Sequence, residues 1–238
     1  MGAAEFTVPL FVRGEVTEDD LVTHGGRSAF SFEATDVAKH LDRLPLRSPA
    51  LLADLQEVPL DEIIDVLVAL GAHLDIETNS HVQAAYEAGL SAAPYPASML
   101  RNSYVALPHV FERRRLETMV DDGVGRAHLE GWVPSTLDDG REVAIRAFGA
   151  RALHIPAGNG GVVSAMTIIR NALCRSDAIV KAPSNDPLTA VAIARTFGAG
   201  RVIAHPDATF VLPELGLGLI PGAGGTVSLV RRMGRHRT

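Results

Sequence analysis

The chain has 238 residues, 47% of them hydrophobic, a formal charge of −6 and one cysteine. That is enough apolar material to bury the core of one large or two small domains, while the acidic balance argues against a nucleic-acid partner and the lone Cys174 excludes internal disulfides. No apolar run reaches membrane-spanning length, MGAAEFTVPLF lacks the basic-then-apolar pattern of a secretion signal, and the nine histidines are scattered without metal-ligand spacing, so a cytoplasmic chain without a structural metal is expected.

Residues 6–16, FTVPLFVRGEV, alternate roughly as an edge strand that Pro9 marks as peripheral, and THGGR at 23–27 reads as a turn. The stretch from there to Pro49 carries little signal. From Pro59, the spacing of Ile63, Val66, Leu67, Leu70 and Leu74 predicts an amphipathic helix, with Asp61 and Glu62 suited to its first turn. Asn79 is placed to cap a second helix running towards Leu90. Two more helices are expected over 97–107 and 109–121, split by Pro108, with the charged run 112–115 as a solvated face. Residues 131–133 and 142–148 read as strands joined by an Asp138-Asp139-Gly140 hairpin turn.

The organising stretch follows, over 152–197. A short apolar run at 152–155 ends at Pro156, and Gly158, Asn159, Gly160 and Gly161 form a turn whose glycines tolerate angles that other residues avoid. Val163, Met166, Ile169 and Leu173 recur at helical spacing, 178–180 is a second apolar strand closed by Lys181 and Pro183, and Pro187 stands where another helix starts. Two strands joined by a helix imply a parallel crossover, the unit of nucleotide-binding folds, so function is sought at the strand ends, near Asn159 and Lys181. Beyond Phe197, 198–200 reads as a linker, short strands are expected at 201–204 and 209–212, and a final helix from about Thr226 carries the basic cluster Arg231, Arg232, Arg235 and Arg237.

The motifs HIPAGN at 154–159 and IVKAPSNDPLTA at 179–190, with weaker support from PLFVRGEV at 9–16 and GWV at 131–133, give residues 6–197 a resemblance to the N-terminal part of LuxC-type acyl-CoA reductases, a branch of the aldehyde dehydrogenase superfamily. The resemblance implies NADPH-dependent reduction of a fatty acyl thioester, such as an acyl-CoA, to an aldehyde through an acyl-enzyme on a cysteine. It makes Asn159 the amide donor to the thioester oxygen, where negative charge develops. Lys181 is matched to the lysine that reaches the adenosine ribose of the cofactor. Ser184 stands where NAD-preferring enzymes often carry a carboxylate, which leaves room for the 2′-phosphate of NADP. Cys174, on the apolar-patterned helix with no matched base, reads as packing rather than as nucleophile. The family's nucleophile, general-base glutamate and second half of the cofactor fold are expected beyond Phe197 and have no counterpart here.

HPDATFVLPELGLGLIPGAGGT, at 205–226, resembles instead the crotonase superfamily of enoyl-CoA hydratases and isomerases, in which Glu214 would be an acid/base carboxylate. The expected fold is therefore α/β: a helical lead-in and a partial Rossmann-like parallel sheet of the aldehyde dehydrogenase type over 1–197, and a short crotonase-like α/β tail over 198–238. The leading functional expectation is an acyl-CoA reductase-like protein, truncated and weakly active or inactive. The alternatives are a crotonase-type hydratase or isomerase and a non-catalytic chimeric fragment, whose bare apolar surface would promote homo-oligomer formation.

Overall fold

A computed structural model describes residues 6–12, 14–25, 30–44, 53, 56–158 and 160–199. The tail strands expected at 201–204 and 209–212, the helix from Thr226 and the arginine cluster lie outside the described residues.

Strands come first, not the expected helical lead-in: β1 (Thr7–Val8), β2 (Leu10–Val12), β3 (Glu15–Thr17), β4 (Leu21–Gly25) and β5 (Ser31–Thr35). The single edge strand expected over 6–16 breaks at Pro9, which has no N–H to continue a ladder. On one side of the break β1 runs parallel to β5. On the other, β2 folds back on β3 with Phe11 opposite Val16, through Gly14 at φ 76°. Of the turn expected at 23–27, residues 26 and 27 lie outside the described residues, while Thr23, His24 and Gly25 belong instead to β4, which pairs antiparallel with β5 at the edge of a β1-β5-β4 sheet. All of β4 is solvent-exposed, so no apolar alternation betrayed it. A 3-10 stretch, Val37–Arg43, follows, its first turn capped by the Asp36 carboxylate, which accepts from Ala38 N–H at 3.0 Å.

The helical layer is α1 (Leu60–Gly71), α2 (Ser80–Ala92), α3 (Ala97–Val105), α4 (Leu107–Val110), α5 (Arg113–Asp122) and α6 (Arg126–Glu130). Helix α1 buries Ile63, Ile64, Leu67 and Leu70 on one face, and Leu74, beyond its end, stays buried as well. Asn79 caps α2 as expected, its side chain accepting from His81 and Val82 N–H. Pro108 does not split two helices. It sits in the first turn of α4, where a missing N–H leaves no bond unmade, and the breaks fall at Ala106 and at Phe111–Glu112.

The hairpin β6 (Val133–Thr136) and β7 (Glu142–Ile145) forms as expected, with Gly140 at φ 84° in its turn. The central unit then runs β8 (Ala152–His154), α7 (Gly161–Leu173), β9 (Ala178–Val180) and α8 (Thr189–Ala199). β8 and β9 are parallel, with Leu153 opposite Ile179. Helix α8 continues through Gly198 and Ala199, where a linker was expected, because Leu188, Ala192, Ile193 and Phe197 pack towards the main core and carry the helix forward. That core joins α1 to α5, α7 and α8, while a smaller cluster of Val8, Phe30, Phe32 and Ala92 lies under the first sheet. Leu188 packs against both. The architecture is mixed α/β, with small sheets and a helical core.

Candidate functional site: a cleft at the ends of the parallel strands

Parallel strands put both of their C-terminal ends on the same side, so the loops leaving β8 and β9 meet there. Lys181 N–H still bonds His154 O at 2.9 Å, and the chain then turns, with Asp186 N–H donating to Pro183 O at 3.1 Å. Beside this turn lies a cleft of about 620 Å³, walled by Leu10, Phe11 and Phe32 from the first sheets and by Val180 and Val191 from the central unit. Lys181 and Ser184 are both exposed and both line it. Asp36 is its one lining carboxylate among the described residues and is engaged as the cap of the 3-10 stretch. Among those residues no carboxylate pairs with the Lys181 ammonium. An unopposed cation, a hydroxyl and an apolar wall together suit a ligand with an anionic group and a flat apolar body.

Two residues behind Ser184 were not singled out in the sequence. The Asn185 side chain donates through Nδ2 to Gly158 O, and a Cβ on Gly158 would fall 1.6 Å from Asn185 Oδ1. A Cβ at 158 would displace the Asn185 side chain, so the glycine leaves room for this contact, which holds the loop after β8 to the loop after β9. Asp186 is buried and stands one residue before Pro187 at the start of α8, where it accepts from Thr189 Oγ1 and, more distantly, from Ser164 Oγ at 3.4 Å. Burial pushes its carboxyl above the usual range, against the opposing effect of the Thr189 and Ser164 hydrogen bonds. The signal for it was present as Asn-Asp-Pro, an acceptor followed by proline at a helix start.

Asn159 and Glu214, both expected to be catalytic, lie outside the described residues; the neighbours of Asn159 do not. Gly160, at φ 136°, is the N-cap of α7, and Gly161 is buried against Thr189 and Leu107. Cys174 is the C-cap of α7. Because α7 returns antiparallel to the strands it joins, that cap lies at the end of the unit opposite Lys181. Burial pushes its thiol up, with the Arg175 charge opposing. Both features disfavour a thiolate that could serve as nucleophile at this cleft.

Asp19, Asp20 and His40 bring ligand-type atoms within 4.8 Å of one another. Asp20 is already paired with Lys39, and His40 Nε2 lies 3.5 Å from Asp19 without a hydrogen bond.

Comparison with known proteins places this geometry. The sequence model of the acyl-CoA reductase (LuxC) family matches residues 55–202, more than half of the chain. A long-chain acyl-protein thioester reductase from Vibrio harveyi is 27% identical over 195 residues, covering 80% of this chain and 39% of that relative. The chain thus spans about two fifths of the relative's length. The family match ends at 202 and lends no support to a crotonase-like segment beyond it. With its βαβα unit, glycine turn and strand-end lysine all inside the matched span, the chain belongs to the LuxC acyl-CoA reductase family.

Proposed function

We propose that this chain forms the nucleotide-binding part of an NADPH-dependent reductase of fatty acyl thioesters, with the unit over 1–197 built as the start of an aldehyde dehydrogenase-type Rossmann fold. NADPH, when bound, supplies the hydride that an acyl thioester gains on becoming an aldehyde. In this reading Lys181 holds the ribose hydroxyls of the adenosine and Ser184 admits the 2′-phosphate, while the Asn159 amide donates to the thioester oxygen as charge grows there. The name of the Vibrio relative, an acyl-protein thioester reductase, supports an acyl thioester as substrate without fixing its carrier. Cys174 takes no part in bond making. The observation that carries the reading is the placing of Lys181, unpaired by any carboxylate among the described residues, beside the neutral Ser184 on the rim of one apolar cleft.

The test is a fluorescence titration of the chain with NADPH and NADH. NADPH should bind about tenfold tighter or more, a difference of about 1.4 kcal/mol. Ser184→Asp should invert the preference, since a carboxylate there repels the phosphate and accepts from the ribose hydroxyls. Equal affinity for both nucleotides in the unaltered chain, or no change in preference with Ser184→Asp, overturns the assignment.

A further inference from the structure

The Lys181 to Asp186 turn and the glycine turn after β8 come from opposite ends of a helix-long excursion, yet one side chain joins them. Asn185 sits directly after Ser184 and donates its Nδ2 hydrogen to the carbonyl of Gly158, the residue before Asn159. The fit is specific on both sides: Gly158 has no room for a Cβ against Asn185, and Asn185 is itself half-buried in the contact. Behind it, Asp186 is anchored to Thr189 and Gly161 packs on that same Thr189 at 3.2 Å from where a Cβ would lie. The first turns of α7 and α8 are therefore packed against one another beneath the clasp.

We propose that Asn185 is a positioning residue that couples the two turns, so that a nucleotide settling on Lys181 and Ser184 also orders the glycine turn at Gly158. This rests on the nucleotide reading above and adds to it a residue whose job is mechanical: it touches neither the cofactor nor the thioester. Hydrogen-bonding logic sets what can replace it. The position needs a donor aimed at a carbonyl, so aspartate, of the same shape but with only acceptors when ionised, cannot serve.

The experiment uses the full chain and three variants: Asn185→Ala, Asn185→Asp and Gly158→Ala, the last breaking the clasp from its other side. Amide hydrogen exchange is followed over residues 156–161 and, as a reference, over α1, with and without NADPH, alongside an NADPH titration. In the unaltered chain NADPH should slow exchange over 156–161 by about fivefold or more, corresponding to about 1 kcal/mol of local stabilisation. In each variant that slowing should shrink to less than about twofold while exchange over α1 is unchanged and NADPH affinity falls by no more than about threefold. Without nucleotide, the variants should already exchange faster over 156–161 than the unaltered chain. A purely steric role for Asn185 predicts that Asn185→Asp behaves as the unaltered chain, and that result overturns the proposal. So does nucleotide-dependent slowing that persists in Asn185→Ala. If the unaltered chain fails to bind NADPH, the nucleotide reading fails; equal exchange over 156–161 in all four proteins without nucleotide separately overturns the clasp.

Discussion

Asp186 shows how hydrogen counting assigns a protonation state. Tyr104 donates its hydroxyl hydrogen to Ala85 O at 3.0 Å, its oxygen lies 2.7 Å from Thr189 Oγ1, and Thr189 in turn meets Asp186. Each of these contacts needs a hydrogen, and the two hydroxyls supply one each. With Asp186 ionised, Thr189 donates to it and the Tyr104–Thr189 contact is left without a hydrogen; a protonated Asp186 supplies that hydrogen by donating to Thr189, which then donates to Tyr104. Burial, which raises the carboxyl's proton affinity, points the same way. The sign for stability follows from a folded-state value above the unfolded one: the contribution of the neutral carboxyl is fully present below the ordinary carboxylate range and is lost as pH rises through the raised value. The unaltered chain should therefore lose thermal stability as pH is raised from about 4 towards neutrality through this group. The substitution Asp186→Asn keeps a cap acceptor and supplies a permanent donor, so that variant should match or exceed the unaltered melting temperature near pH 7 and show a flatter pH profile. Asp186→Ala should instead lose about 1 kcal/mol of helix capping at every pH. A melting-temperature series across pH distinguishes them, and a profile for Asp186→Asn that parallels the unaltered one rules out a protonated Asp186.

Among the elements, those with local causes could be read from the sequence. The apolar spacing over Ile63 to Leu70 made α1 visible, the glycines before Val162 marked the start of α7, and Asp138-Asp139-Gly140 announced a hairpin. What stayed hidden had distant causes. β4 is exposed throughout and is held by pairing with β5 rather than by an apolar face. Arg175 carried no signal in the sequence, yet it is fully buried at φ 54°, donating to Val58 O, Leu129 O and the Glu130 carboxylate. Through Glu130, which also accepts from Leu60 N–H at 2.7 Å, it supplies α1 with the cap that Pro59 cannot give. Asn79 combines both kinds of cause. Its Oδ1 caps α2, as its place in the sequence suggests, while its Nδ2 donates to His73 O at 2.7 Å and to Thr196 Oγ1 on α8 at 2.8 Å. Asn79→Ala should then cost about 2 kcal/mol, the cap plus one net hydrogen bond. Asn79→Asp, keeping the cap and losing the donors, should cost about half of that. Urea unfolding gives both, and an Asn79→Asp variant as stable as the unaltered chain would show that the donor bonds, the link to α8 among them, contribute nothing.

At the scale of the whole molecule, the candidate site depends on an association that no local pattern encodes. One wall of the cleft comes from β1, β2, β4 and β5 near the beginning of the chain, the other from β9 and α8 more than a hundred residues later. The walls are joined by little apolar material. Phe6, Phe30 and Phe32 stack with ring centroids 5.6 to 6.5 Å apart, and Leu188, just before α8, reaches this cluster. The main helical core, by contrast, is built on α1, α7 and α8 and excludes those phenylalanines. Removing one ring should therefore separate two properties that usually fall together. Phe32→Ala empties the centre of the small cluster at a local cost of about 3 kcal/mol, enough to loosen the first sheet without touching the side chains packed on α7. The far-ultraviolet helical signal should survive at room temperature, while NADPH affinity falls by about fivefold or more because the wall facing Lys181 and Ser184 is no longer fixed. If affinity is unchanged while the sheet is demonstrably loosened, the nucleotide does not use this wall, and the ligand surface must lie entirely on the central βαβα unit.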